Sequence, residues 1–163
     1  MAHVLLSIGA NLGDRESALQ SVLDAMPGNF HAIRVSRVYD TPPWGVLDQP
    51  SFLNAVIAAD TWLSPEQVLA WGQDCEQAAH RERYRHWGPR TLDVDLITYD
   101  DVRSDDPNLM LPHPRAHERA FVLVGIAELE PDAVIPGRGS ARDLLEALDR
   151  SGITEFSKLH VPA

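Results

Sequence analysis

The sequence holds one cysteine, Cys75, and one lysine, Lys158. A single thiol excludes an internal disulfide and fits a reducing compartment. Cys75 lies in a helical pattern with Val68, Leu69 and Ala79, so a small core residue is the plain reading. No apolar run approaches the roughly 20 residues of a membrane span. The opening MAHVLLSIGANLGDR has an apolar stretch too short for a signal peptide, with no basic region before it; it reads as a first strand. A cytoplasmic protein with no membrane partner is expected. Net positive charge is lacking as well: the formal balance is −10, which opposes broad binding to nucleic acid or anionic membranes. A P-loop is missing too. Nothing matches G-x-x-x-x-G-K-[ST], and the lone lysine lies far from any such turn. GANLGD at 9–14 resembles a phosphate loop only distantly and is better read as a tight strand-to-helix turn.

What is present is more pointed. The chain has 163 residues, 44 % hydrophobic and 23 % charged, ordinary values for one globular domain spanning 1–163. Its cations are thirteen arginines to the one lysine. Arg81, Arg83, Arg85 and Arg90 fall within ten residues, and Arg115 and Arg119 follow. An acidic chain with a local arginine cluster points to a small, highly charged anion rather than a polymer. A solvated loop is the plain alternative.

Periodicity gives the order of elements. Val4, Leu6 and Ile8 alternate as a strand. After Gly9, Asn11 and Gly13 break it, Asp14 caps a helix carrying Leu19, Val22, Leu23 and Met26, which Pro27-Gly28 ends. HAIRVSRVYD at 31–40 predicts one strand with Ile33, Val35 and Tyr39 on one face. The loop TPPWGVLDQPS leads to a strand FLNAVIAADT. SPEQ at 64–67 is a capping box, opening a helix to about His80. TLDVDLITY is the next strand. Two helical patterns follow, roughly 117–129 and 141–149, separated by PDAVIPGRG. The order β-α-β-β-α-β predicts a ferredoxin-like α/β sandwich, an α+β fold with an antiparallel sheet, both helices on one face and a C-terminal helical extension. That fold carries many activities, so function must come from the site.

Asp93 and Asp95 are two residues apart in a strand, so both project to one side while Leu92, Val94 and Leu96 project to the other. Two like charges held together call for a cation. Oxygen-only ligands select a hard ion, and Mg²⁺ is usual when phosphates complete the shell. The D-x-D pattern alone is better read as a solvent-facing strand end. The arginines upstream, whose guanidinium forks match phosphate oxygens, favour a metal–polyphosphate site. His113 stands in LPHPR between two prolines that stiffen it, in one loop with Arg115. Trp87 stands in a polar loop where periodicity does not explain burial.

Four segments, SIGANLGDR at 7–15, YDTPPWGVLDQPSFLNAV at 39–56, RHWGPRTLDVDLITYDD at 85–101 and LPHPRAHERAFVL at 111–123, resemble the signatures of the 6-hydroxymethyl-7,8-dihydropterin pyrophosphokinases of folate biosynthesis, in order and in spacing. The resemblance implies transfer of the diphosphate of ATP to 6-hydroxymethyl-7,8-dihydropterin, with AMP as the other product. It implies that Asp93 and Asp95 coordinate two Mg²⁺ ions on the ATP phosphates, and that Arg81, Arg83 and Arg90 face the triphosphate, with Arg81 and Arg90 catalytic. Gln73 and Glu76 then look like nucleotide-side contacts, His113 and Arg119 like a phosphate-binding pair, and Trp87 like part of a loop that closes over ATP. Thr41, Pro42, Pro43 and Trp44 resemble the wall that reads the pterin through backbone groups. Asn54 resembles the group on its amide edge, and Phe52 and Phe121 its aromatic plates. Segments 45–51 and 81–89 are the expected lids. One departure is His86, with Arg85 beside it, where an arginine commonly precedes the loop tryptophan.

The physics runs the same way. A flat polar heterocycle needs aromatic faces and a donor–acceptor group in its plane, and Phe52 and Asn54 share one strand face. Two readings compete: a metal-dependent phosphodiesterase or nuclease using the same aspartates, which has no need of an aromatic pocket, and a nucleic-acid-binding module, which the net charge opposes. No exposed apolar stripe demands a dimer, and a monomer is expected.

Overall fold

The computed structural model describes residues 1–42, 50–81 and 92–162, the side chains of residues 80 and 81 excepted. Its frame is one antiparallel sheet. β1 (Ala2–Ala10) lies between β4 (Phe52–Thr61) and β5 (Asp93–Tyr99), and the strand order is β10-β3-β4-β1-β5. β2 (Phe30–Val35) and β3 (Arg37–Thr41) both pair with β4, one after the other along its outer side. The edge strand β10 (Thr154–Lys158) pairs with β3.

β1 is central and covered on both faces, which its near-continuous apolar run AHVLLSIGA requires. Val4, Leu6 and Ile8 join the core beneath α1 (Arg15–Asp24) and α2 (Pro65–Arg81), with Leu19, Val22, Leu23, Met26 and Val68. Leu5 points the other way, into a second core with Val122, Leu123 and Ile126 of α3 (Ala120–Leu129) and Leu145 of α4 (Ala141–Glu146). Both expected helices lie on one face, as the element order requires. The C-terminal helices are more than an extension: they roof the opposite face. Each buried leucine or isoleucine there contributes on the order of 1.5–3 kcal/mol. Gly125 lets α3 seat closely, since a Cβ at that position would stand 2.4 Å from Val56 Cγ2.

The strand expected over 31–40 is broken at Ser36, and the break changes which way Tyr39 points. Val35 pairs with Ile57 and Tyr39 with Asn54, so one extra residue sits on the β2–β3 side. A bulge of one residue reverses the facing of everything beyond it. Ile33 and Val35 pack under α1 and α2, whereas the Tyr39 hydroxyl donates to Glu128 of α3 at 2.6 Å. Ser36 mends the ladder itself, its amide donating to the Val56 carbonyl and its hydroxyl accepting from the Val56 amide, both at 2.9 Å.

The caps are as read. The Asp14 carboxylate accepts from the Ser17 amide at 3.1 Å, and Ser64 and Gln67 accept each other's amides at 3.2 and 2.8 Å. The helix expected over 117–129 is interrupted: a 3₁₀ turn, Ala116–Glu118, is separated from α3 by an extended Arg119. The pattern at 141–149 ends at Glu146. Two short hairpins and β10 have no counterpart in the sequence reading. The hairpins are β6 (Ser104–Asp106) with β7 (Leu109–Leu111), and β8 (Val134–Ile135) with β9 (Gly139–Ser140). Among the described residues, no helix is long and apolar enough to cross a membrane.

Candidate functional site

The α3 roof stops short of one end of the sheet. There a cleft of about 480 Å³ opens. Its floor is built by registered cross-strand pairs. Tyr39, Asn54, Gly9 and Asp93 are successive partners across β3, β4, β1 and β5, and directly paired residues face the same side. Ser7 of β1 pairs with Asp95 one step further along. Asn54, Gly9, Asp93, Ser7 and Asp95 all line the cleft. The alternation that sends Val94 and Leu96 into the core beneath α1 and α2 turns both aspartates the other way, half-buried.

The wall comes from the broken helix. Arg115, Glu118, Arg119 and Phe121 line the cleft opposite Thr41 and Phe52. Had the helix run unbroken from 117, Arg119 would be an interior helix residue; in extended backbone it enters the site instead. Its Nη1 lies 4.0 Å from Asp95 Oδ2, with the two side chains 33 % and 37 % exposed. At that distance and exposure the pair contributes little stability, and Asp95 keeps oxygen lone pairs for another cation.

His113 is held at one side. Its amide donates to the Ile97 carbonyl at 2.9 Å, which runs the segment along β5. Its Nδ1 accepts from the Arg115 amide at 3.2 Å, so in the neutral ring the proton is on Nε2. Burial pushes its pKa down, Arg119 and Arg115 push the same way, and Asp95 opposes them. His113 lines a neighbouring groove of about 160 Å³ rather than the main cleft.

Asn54 is fixed from two directions. Its Nδ2 donates to Thr41 Oγ1 at 2.7 Å in a buried contact. Its Oδ1 lies over Gly9, where a Cβ would come within 2.6 Å. Glycine at position 9 therefore leaves an open gap of two strand spacings, about 10 Å, between Asn54 and the carboxylates. Gly9 is a site residue that the sequence reading took only for a strand breaker. Ser7 and Glu118 also line the cleft without having been singled out for it, and Arg115, named with the arginines that point to an anion, lines it too. The turn that follows Gly9 contributes nothing to the lining, in keeping with its reading as a strand-to-helix connection.

Not every expected residue converges. Gln73 is exposed on α2, on the other side of the sheet, and lines neither cleft. Glu76 reaches around edge strand β5, its Oε2 accepting from the Val94 amide at 3.0 Å. Pro42 is exposed and lines neither cleft. Pro43, Trp44, Arg83, Arg85, His86, Trp87 and Arg90 lie outside the described residues, as do the Arg81 side chain and most of the expected lids at 45–51 and 81–89. Among the described residues no group of three or more His, Cys, Asp or Glu side chains could hold a metal by itself. Asp93 and Asp95 fit a hard cation only as a two-carboxylate platform, with other oxygens from a ligand or water.

A family model described as "7,8-dihydro-6-hydroxymethylpterin-pyrophosphokinase (HPPK)" matches residues 5–131. The 2-amino-4-hydroxy-6-hydroxymethyldihydropteridine pyrophosphokinase of Methylorubrum extorquens is 43 % identical over 156 residues, covering 94 % of this chain and 98 % of the relative. The Pseudomonas aeruginosa protein of the same name is 38 % identical over 153 residues, covering 93 % and 94 %. A crystal structure of wild-type Plasmodium falciparum HPPK-DHPS superposes with a TM-score of 0.69 at 13 % identity, covering 89 % of this chain and 40 % of that one. This chain thus spans less than half of that longer protein, and the likeness is one of fold.

Proposed function

This chain belongs to the 7,8-dihydro-6-hydroxymethylpterin-pyrophosphokinase family, and we propose that the cleft over Gly9 is where its reaction runs. The activity of the family is diphosphoryl transfer from ATP to 6-hydroxymethyl-7,8-dihydropterin in folate biosynthesis. One observation carries the assignment of the site: Phe52, Asn54 and Phe121 share a single cleft with Asp93 and Asp95, separated from them by a residue with no side chain.

In this reading the pterin lies between Phe52 and Phe121, with the Asn54 carboxamide on its amide edge and the Thr41 backbone beside it. The buried bond to Thr41 leaves Asn54 in one orientation, so the ring meets a pre-set acceptor. The hydroxymethyl group then extends across Gly9 toward the carboxylates. Asp93 and Asp95 would hold two magnesium ions, which when bound neutralise phosphate charge and acidify the attacking hydroxyl. Arg119, with Arg81, Arg83 and Arg90 from the preceding segment, grips the triphosphate. Glu76 at the β5 edge, Gln73 on α2, Trp87, and the Nε2–H of His113 are the further nucleotide contacts, and Pro42, Pro43 and Trp44 complete the pterin wall. The hydroxyl oxygen bonds to the β-phosphorus as the bond from that phosphorus to the α–β bridging oxygen breaks. AMP leaves with the electron pair and the hydroxyl proton passes to solvent. No side chain is required as a general base; alignment and charge neutralisation carry the step.

The central β5-β1-β4-β2/β3 sheet with α1 and α2 is in this reading a ferredoxin-like unit, the whole chain acts as one cytoplasmic domain, and the enzyme works as a monomer. A phosphodiesterase on the same aspartates would leave the Phe52–Asn54–Phe121 group without a use. Incubation with ATP, Mg²⁺ and the hydroxymethyl-dihydropterin should release AMP in a 1:1 ratio to pterin diphosphate. ADP in place of AMP, or ATP hydrolysis indifferent to the pterin, would overturn the reading.

A further inference from the structure

We propose that Arg15 is a positioning residue for the pterin subsite, acting through Ser51 on Phe52; the inference rests on the reading of Phe52 as a pterin plate. The observation behind it is where the sheet ends. β1 last pairs with β4 at Ala10–Leu53, and β3 last pairs with it at Thr41–Phe52. Among the described residues, Phe52 therefore has a strand on one side only, and Ser51 has none. A frayed strand end is a poor base for an aromatic ring that must be set to within a fraction of an ångström.

Arg15 takes over where the strands stop. It is the first residue of α1, half-buried, and its Nη1 donates to the Ser51 carbonyl at 2.9 Å and to Ser51 Oγ at 3.0 Å. This guanidinium does for Ser51 what a neighbouring strand would do, and with a charge-assisted bond. The guanidinium is itself held. The Phe156 ring lies 5.7 Å from its central carbon, within cation–π range. Phe156 is the extra residue where the β10–β3 register shifts between Glu155 and Ser157, and a bulge re-aims the side chain it carries. That accounts for an aromatic left 49 % exposed. The next residue, Ser157, donates to Glu16, so β10 and the first turn of α1 are joined twice. The line Phe156–Arg15–Ser51–Phe52 thus ties the C-terminal strand to one wall of the cleft, on β4, with β1 between it and the strand that carries Asp93 and Asp95.

The test is steady-state kinetics with AMP release as readout, on the full chain and its variants Arg15→Ala, Arg15→Lys and Phe156→Ala, with thermal melts alongside. Arg15→Ala should raise KM for the pterin about tenfold, the size of one lost charge-assisted hydrogen bond. KM for ATP should stay within about twofold, because the phosphate side is not touched. Arg15→Lys should recover part of the loss, since one ammonium can reach one of the two acceptors. Phe156→Ala, which leaves both hydrogen bonds possible, should raise the pterin KM about two- to fivefold. If Arg15→Ala does not fold, the lysine and Phe156 variants decide by the same substrate split. An unchanged pterin KM, equal rises for both substrates, or a fall in kcat alone that follows the melting temperature would each overturn the proposal. A wild-type enzyme that makes no AMP sinks the reading of the site instead; an active wild type with variants indistinguishable from it sinks only the role of Arg15.

Discussion

Gly9 and Asn54 face each other across two paired strands so closely that a single added carbon would collide: an ideal Cβ at Gly9 would stand 2.6 Å from Asn54 Oδ1. The carboxamide cannot retreat sideways without breaking its 2.7 Å bond to Thr41. The floor of the cleft is therefore shaped by an absence on one strand and a locked polar group on the next.

Gly9→Ala should consequently harm the pterin side specifically. Either the Asn54 side chain turns and loses Thr41, or the strands part slightly; overpacking of this kind costs about 1–3 kcal/mol of stability. Pterin affinity should fall by tenfold or more, on the order of one lost polar contact, with ATP binding nearly unchanged. Calorimetric titration of each ligand separately checks this. Equal losses for both would place the collision's effect outside the pterin pocket.

Asp93→Ala and Asp95→Ala should each lower turnover by about a thousandfold or more, because metal and phosphate charge would lose half their platform. Folding should be affected far less than turnover, since both side chains are only half-buried and each change also relieves two like charges on one strand face. Thermal melts and AMP release measured together separate the two effects. Near-normal turnover in excess magnesium would contradict the metal assignment.

Cys75 offers a pH-dependent test on the other face of the sheet. Burial pushes its thiol up to about 11, with Asp74 and Glu76 adding to the effect. The folded state therefore favours the protonated thiol more than the unfolded chain does. The resulting stability is complete below the unfolded thiol's ordinary pKa, near 8.5, and is lost as pH rises through about 11. Cys75→Ser, which does not ionise in that range, should remove the part of the alkaline destabilisation owed to this group. Alkylation by iodoacetamide at pH 8 should be slower by about a hundredfold or more in the native protein than in urea, since only the thiolate reacts. Similar rates in both would mean that α2 opens readily.

The parts legible in the sequence are those governed by short-range rules. Asp14 and Ser64 cap because their hydroxyl or carboxylate reaches an amide within the next turn, and three residues of spacing suffice to say so. Asp93 and Asp95 share a face because a strand alternates. The misplacement of Tyr39 shows the limit of that rule: the alternation in HAIRVSRVYD is real, but the bulge at Ser36 depends on β4, a strand 16 residues further on at its nearest, and one extra residue reverses the facing. The break at Arg119 was hidden for the same reason, since the 3₁₀ turn and α3 share one apolar pattern across it. β10 was missed because TEFSK has too few apolar residues to read as a strand; its side chains answer to Arg15 and Glu16, which no local pattern reveals. The Asp pair and the Phe52–Asn54 pair could each be read alone. That Gly9 stands between them required the register.

The capping box of α2 provides a control that separates stability from chemistry. Ser64 and Gln67 exchange hydrogen bonds at the start of a 17-residue helix, on the face of the sheet away from the cleft. Ser64→Ala leaves the Gln67 amide without its acceptor and should cost about 1 kcal/mol. In a chain of this size that lowers the melting temperature by roughly 3 °C. Gln67→Ala should cost less, because the Ser64 amide can turn to water. The double variant should fall short of the sum, since each bond helps hold the other's geometry. KM for both substrates should remain at wild-type values throughout, because the helix is anchored to the sheet along its length by Val68, Trp71 and Cys75. A rise in the ATP KM in step with the lost stability would show that the N-terminus of α2 is coupled to the Glu76 contact on β5, further along the same helix.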